Sequence, residues 1–125
     1  MDWTKYPSFR KKEMACKCCG KAEMDAEFMY LLQCLRSAYA KPLPVTSGYR
    51  CPKHNAAVKG GPAHVLGRAA DISISGEEAY TLTKLAILHG FTGIGWKQHG
   101  GVRFIHLDNL TNKDGVGRPW VWSYP

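Results

Sequence analysis

The sequence has no run of about 18 uncharged apolar residues, so no segment reads as a membrane-spanning helix. It also has no internal repeats, low-complexity tracts or polar linker, which leaves one domain over residues 1–125. Its first residues, Met1-Asp2-Trp3-Thr4-Lys5-Tyr6-Pro7, lack the apolar stretch of a secretory leader. The expectation is a protein made in the cytoplasm that reaches an external target only if released. Acidic residues are few, with 10 Asp and Glu against 17 Lys and Arg, for a formal charge of +7. Such a surface attracts anionic polymers such as nucleic acid, acidic lipid or a bacterial wall. The basic residues are scattered apart from Arg10-Lys11-Lys12, and no nucleic-acid-binding motif accompanies them. No specific nucleic-acid partner is expected, and the chain is expected to be a monomer.

Cysteines are odd in number, and three crowd into Cys16-Lys17-Cys18-Cys19. Neighbours of this kind cannot all pair with one another in ordinary disulfide geometry. Cys16 and Cys19 form one Cys-x-x-Cys pair, but Cys34 and Cys51 are too far apart to supply a second. The leading reading is reduced thiols in a cytosolic setting. A second metal site, or a disulfide using Cys34 or Cys51, is the lesser alternative. A basic nucleic-acid binder carrying zinc on Cys16, Cys18 and Cys19 is a further one.

The chain is 45% apolar, enough for one folded core. Residues 1–20 read as an extended, Cys-rich arm. From Glu23 to Tyr39 the residues Met24, Phe28, Leu31, Leu32 and Leu35 recur at helical spacing, and Ala40-Lys41-Pro42 closes the segment. Residues 44–50 read as a short strand that turns at Gly48. Residues 51–66, with Pro52, Gly60, Gly61 and Pro62, read as an irregular loop. Asp71-Ile72-Ser73-Ile74 alternates, so Asp71 and Ser73 share one face while Ile72 and Ile74 enter the core. A second helix runs from Glu77 to His89, with a capping box of Ser75 and Glu78 and an end at Gly90. Residues 91–96 and 102–108 read as strands, and the tail Trp120-Val121-Trp122-Ser123-Tyr124 either packs on the sheet or lines a cleft. The fold class is α+β: a small, mainly antiparallel sheet with two principal helices.

The chemistry concentrates in two stretches, His64-Val65-Leu66-Gly67-Arg68-Ala69-Ala70-Asp71 and Phe104-Ile105-His106-Leu107-Asp108. Two imidazoles and a carboxylate suit Zn²⁺, and three protein ligands leave the fourth tetrahedral position open for water. An open zinc site points to hydrolysis. Taken singly, each histidine reads more readily as structural; together with their surroundings they favour the metal. Asp108 shares a strand face with His106, about 7 Å along the chain. It reads either as a general base and acid or as a carboxylate that orients a ligand. Arg50 ends Ser47-Gly48-Tyr49-Arg50. It can dock a substrate carboxylate or stabilise an oxyanion, although spacing alone favours a plain salt bridge.

Ser-Gly-Tyr-Arg at 47–50, His-x-x-Gly-Arg-Ala-Ala-Asp at 64–71, Gly-Ile-Gly at 93–95 and Phe-Ile-His-Leu-Asp at 104–108 follow in that order. This ordered set resembles the zinc D-alanyl-D-alanine carboxypeptidase family. That family includes bacterial wall-trimming enzymes and phage endolysins that cut L-alanyl-D-glutamate bonds, and the hedgehog signalling domain shares its fold. The likeness extends from the Cys16 region to the Trp-Ser-Tyr tail. The resemblance implies His64, Asp71 and His106 as Zn²⁺ ligands and Arg50 as the residue that anchors substrate or stabilises its transition state. Well-known members carry an acid three positions before the last histidine, where this chain has Arg103. Small phage-type members have His-x-Asp instead, which passes the base role to Asp108 and leaves His99 in reserve. The implied activity is cleavage of peptidoglycan stem peptides by a zinc carboxypeptidase or endopeptidase. The alternative, supported by Arg103, is a catalytically inactive zinc-binding module of the same fold. His54 is assigned at most an assisting part in substrate binding, and His89 a structural place in the last helical turn.

Overall fold

A computed structural model of the chain describes residues 1–125. A 3-10 helix at Trp3–Lys5 is followed by helices α1 (Lys11–Met14) and α2 (Ala26–Tyr39), strand β1 (Val45–Ser47) and helix α3 (Pro52–Ala57). Strand β2 (Ala69–Ser73), helix α4 (Gly76–Leu88) and strands β3 (Gly93–Lys97), β4 (Phe104–Asp108) and β5 (Trp120–Ser123) complete the chain, with a 3-10 helix at Asn112–Asp114. The strands form one sheet in the order β1-β2-β4-β3-β5. Every neighbouring pair is antiparallel except β3 and β5, which run parallel. The architecture is the α+β fold expected, with α2 and α4 as its two principal helices. No helix is long and apolar enough to cross a membrane.

One face of the sheet is apolar. Ala70 and Ile72 of β2, Ile105 and Leu107 of β4 and Ile94 of β3 are buried in one cluster with the inner faces of α2 and α4. From the helices come Phe28, Leu32 and Leu35 of α2 and Ala79, Leu82 and Ala86 of α4. Each fully buried Leu or Phe of this kind contributes roughly 1.5–3 kcal/mol relative to exposure. The opposite face carries the polar residues, and its apolar partner fixes the register, because slipping β2 or β4 by one residue would exchange the two faces.

Four local expectations need correction. The arm 1–20 is not simply extended: it holds two short helices, and Tyr6, Phe9, Met14 and Cys16 enter the main core. A small domain has too little apolar surface elsewhere to leave those side chains in water. Helix α2 begins at Ala26, not Glu23, because Asp25 caps it by accepting from the Phe28 amide at 2.9 Å. The segment 51–66 contains α3, whose first residue is Pro52 with Cys51 as its cap. Proline at the first helical position starts a helix and does not break it. The capping box at Ser75 does not form, since the Ser75 side chain makes no cap hydrogen bond. Glu78 instead accepts from the Tyr39 hydroxyl at 3.2 Å and pairs with Lys41 at 3.7 Å.

Candidate active site

Strand register assembles the site. Ser47, Asp71, His106, Gly95 and Trp122 stand opposite one another in one row across the sheet. The adjoining row on the same face is Ala69, Asp108, Gly93 and Trp120. Two of these places must be glycine. A Cβ at Gly93 would sit inside the Asp108 carboxylate, and one at Gly95 would meet the Trp122 indole at 2.5 Å. His64 reaches this face from the turn after α3. It lies in a cleft of ≈ 580 Å³ together with Asp71, His106, Arg50, Arg118 and Tyr124.

His64, Asp71 and His106 are all buried, and one donor atom from each lies within 4.8 Å of the others. The outer nitrogen of each imidazole has an acceptor. His64 Nδ1 donates to the Gly48 carbonyl at 2.6 Å, and His106 Nε2 donates to Asp108 Oδ2 at 2.7 Å. A carbonyl or carboxylate only accepts, so these bonds place the proton on the outer nitrogen. The inner nitrogens, His64 Nε2 and His106 Nδ1, then turn lone pairs toward Asp71 Oδ1 at 3.3 and 3.2 Å. Two lone pairs aimed at a carboxylate oxygen repel unless a proton or a cation lies among them. Zinc bonds of about 2.0–2.1 Å give donor separations of about 3.3 Å in a tetrahedron, so the set fits Zn²⁺.

The electrostatics follow from burial and these partners. Burial opposes ionisation of Asp71, but in the metal-free site hydrogen bonds from His106 and His64, when their inner nitrogens are protonated, hold its carboxyl well below the usual carboxylate range. Burial likewise opposes the charged form of His106, yet Asp108 and Asp71 outweigh it and raise its pKa. Asp108, with 0% of its surface exposed, is held at about 2 because His106 and Arg118 prevail over burial. Arg118 grips it with two bonds, Nε to Oδ1 at 3.0 Å and Nη2 to Oδ2 at 2.8 Å. The Leu110 amide adds a third donor at 3.2 Å.

Arg50 is fixed on the cleft wall by three bonds. Nη2 lies 3.3 Å from Asp71 Oδ2, Nε 3.2 Å from Ser47 Oγ, and Nη1 3.4 Å from Asn55 Oδ1. Burial raises the pKa of the Tyr124 phenol, which stays protonated in this cleft. His99 is exposed and faces the Tyr124 carbonyl at 3.2 Å, outside the cleft lining. Arg103 lines a separate cavity with Tyr39 and Glu78, away from the metal triangle. His89 bonds to the Leu85 carbonyl at the end of α4. All five cysteines are free thiols, and none lines the cleft.

The structure brings together five residues singled out from sequence: Arg50, His64, Asp71, His106 and Asp108. Sequence reasoning missed Arg118, which sits in an irregular Gly-Arg-Pro segment with no periodicity to read. The only available signal was indirect: a carboxylate at the end of a buried strand needs a counter-charge.

A convergent imidazole-imidazole-carboxylate set, opening on a cleft and backed by fixed guanidinium groups, is a candidate site for a divalent metal ion. A scan against family profiles matches residues 7–108 to Peptidase M15. The chain belongs to the peptidase M15 family, whose members are zinc-dependent. A search of curated proteins returned no match. Arg118 and β5 lie beyond the matched residues.

Proposed function

We propose that the protein is a zinc metallopeptidase that hydrolyses an amide bond in peptidoglycan stem peptides. The observation that carries this reading is the triangle of His64 Nε2, Asp71 Oδ1 and His106 Nδ1 in a cleft flanked by Arg50 and Arg118. Bound zinc would supply Lewis-acid polarisation of the amide carbonyl and acidify water toward neutral pH. Arg50, already oriented by Ser47, Asn55 and Asp71, docks a substrate carboxylate or stabilises charge developing on the carbonyl oxygen. Stem peptides are rich in carboxylates, which suits a cleft with two guanidinium groups. Trp122 and Tyr124 offer apolar surface to the short side chains between those carboxylates.

Asp108 is the candidate base from sequence, but its surroundings favour the orienting role. Its oxygens are occupied by His106, Arg118 and the Leu110 amide, and a carboxyl held at about 2 is a weak base. The geometry supports a carboxylate–histidine–metal relay in which Asp108 fixes the His106 tautomer. Asp71 and Asp108 are the only carboxylates lining the cleft, and both are engaged. That arrangement is the specific support for a second reading, a zinc-binding module without catalysis.

Mass spectrometry of digested muropeptides separates these readings. Loss of one terminal alanine identifies a carboxypeptidase, and cleavage after L-alanine identifies an endopeptidase of the endolysin type. A chelator should abolish either activity and zinc restore it. Intact muropeptides in the presence of stoichiometric zinc would favour the module. The positive charge suits an anionic wall, which a monomer released from the cytoplasm would reach.

A further inference from the structure

A second cluster of metal-ligating side chains lies outside the cleft. The Sγ atoms of Cys16, Cys19 and Cys51 all lie within 4.8 Å of one another. Cys18, exposed on the same turn, is not a member of this triangle. Cys16, Cys18 and Cys19 sit on a tight turn after α1, closed by the Cys16 amide on the Lys21 carbonyl at 2.7 Å and the Gly20 amide on the Cys16 carbonyl at 2.8 Å. Gly20 has φ 77, which lets the chain reverse directly after Cys19. Cys51 arrives from the other side, as the cap of α3.

Backbone amides converge on these sulfurs. The Cys51 amide lies 3.3 Å from Cys16 Sγ, and the His54 amide 3.4 Å from Cys51 Sγ. Amide donors aimed at sulfur stabilise thiolates, and a Cys-x-x-Cys turn that brings its two sulfurs together is the local geometry of a thiolate metal knuckle. A disulfide would join two of these three sulfurs and leave the third without a partner.

We propose that Cys16, Cys19 and Cys51 hold a second, structural zinc ion. Soft thiolates select zinc over hard cations, and this set lies outside the substrate cleft. Each coordinating thiol releases its proton to solvent on binding, so the site fills without any oxidant. The ion fastens the N-terminal arm to the residue directly after Arg50. The arm already touches this segment through the Tyr49 amide, which donates to the Met14 carbonyl at 2.9 Å. The site therefore holds the backbone of the cleft wall without lining the cleft.

The test uses the full chain under reducing conditions, loaded with zinc or cobalt and freed of excess metal. Elemental analysis should find about two zinc ions per native chain and about one in His64→Ala/His106→Ala. Adding Cys19→Ser and Cys51→Ser to that background should remove the remaining ion. Cobalt should give the native chain a thiolate-to-metal charge-transfer band, which imidazole and carboxylate donors cannot produce. That band reads out the thiolate site even if the histidine variant fails to fold. Absence of the band, or a folded histidine variant that binds no metal, overturns the proposal. So does peptide mapping that finds Cys51 disulfide-linked in the protein as isolated.

Discussion

Asp108 accepts from His106 Nε2, from two Arg118 nitrogens and from the Leu110 amide. A carboxylate so occupied acts through the imidazole it orients, and that role separates from proton transfer by measurement. Asp108→Asn should weaken zinc binding about 10- to 100-fold, with hydrolysis recovering in excess zinc. Hydrolysis still lost at saturating zinc, with affinity unchanged, would assign Asp108 the proton instead. The same residue gives a pH prediction. Its carboxyl falls from an ordinary 3.8 to about 2 on folding. The stabilisation is therefore present above about 3.8 and is lost as pH falls toward about 2. Arg118→Met removes a cause of that depression, so the acid-unfolding midpoint of the chelated protein should move to higher pH. Circular dichroism against pH checks it, and an unmoved midpoint would show that the pair is not coupled to folding.

At the scale of elements, β2, β3 and β4 carry the site because their alternation sends apolar residues to the helices and polar ones to the cleft. Gly93→Ala should drive a methyl group into the Asp108 carboxylate and cost about 1–3 kcal/mol, together with metal affinity. Gly101→Ala, where nothing lies within 4 Å, should stay within about 1 kcal/mol of the native protein. Thermal unfolding of both variants provides the comparison, and equal losses would mean that the close approach at Gly93 is not what matters. These strands were legible in the sequence because Asp71, His106 and Asp108 fall on alternate positions of short apolar runs. Helix α3 was not, because proline was read as a breaker when it stood at a first helical position. The parallel pairing of β5 with β3 was hidden too, since pairing direction depends on a connection with no periodicity of its own.

At the scale of the molecule, the sheet divides the labour of the chain. One face joins α2 and α4 in the core, and the other holds the buried charges that the core could not tolerate unpaired. The ligand set was readable because its residues are chemically distinctive and sit in short ordered motifs. Arg118 and the thiol cluster were not assembled by sequence reasoning, because each joins segments that only the folded backbone brings together. The claim underlying every functional statement is that His64, Asp71 and His106 share one zinc ion. Anomalous diffraction from zinc-soaked crystals, recorded on both sides of the zinc absorption edge, tests it most directly. The account predicts a strong peak bonded to His64 Nε2, an Asp71 oxygen and His106 Nδ1. Full occupancy of zinc elsewhere, with no peak among those three side chains, would contradict it.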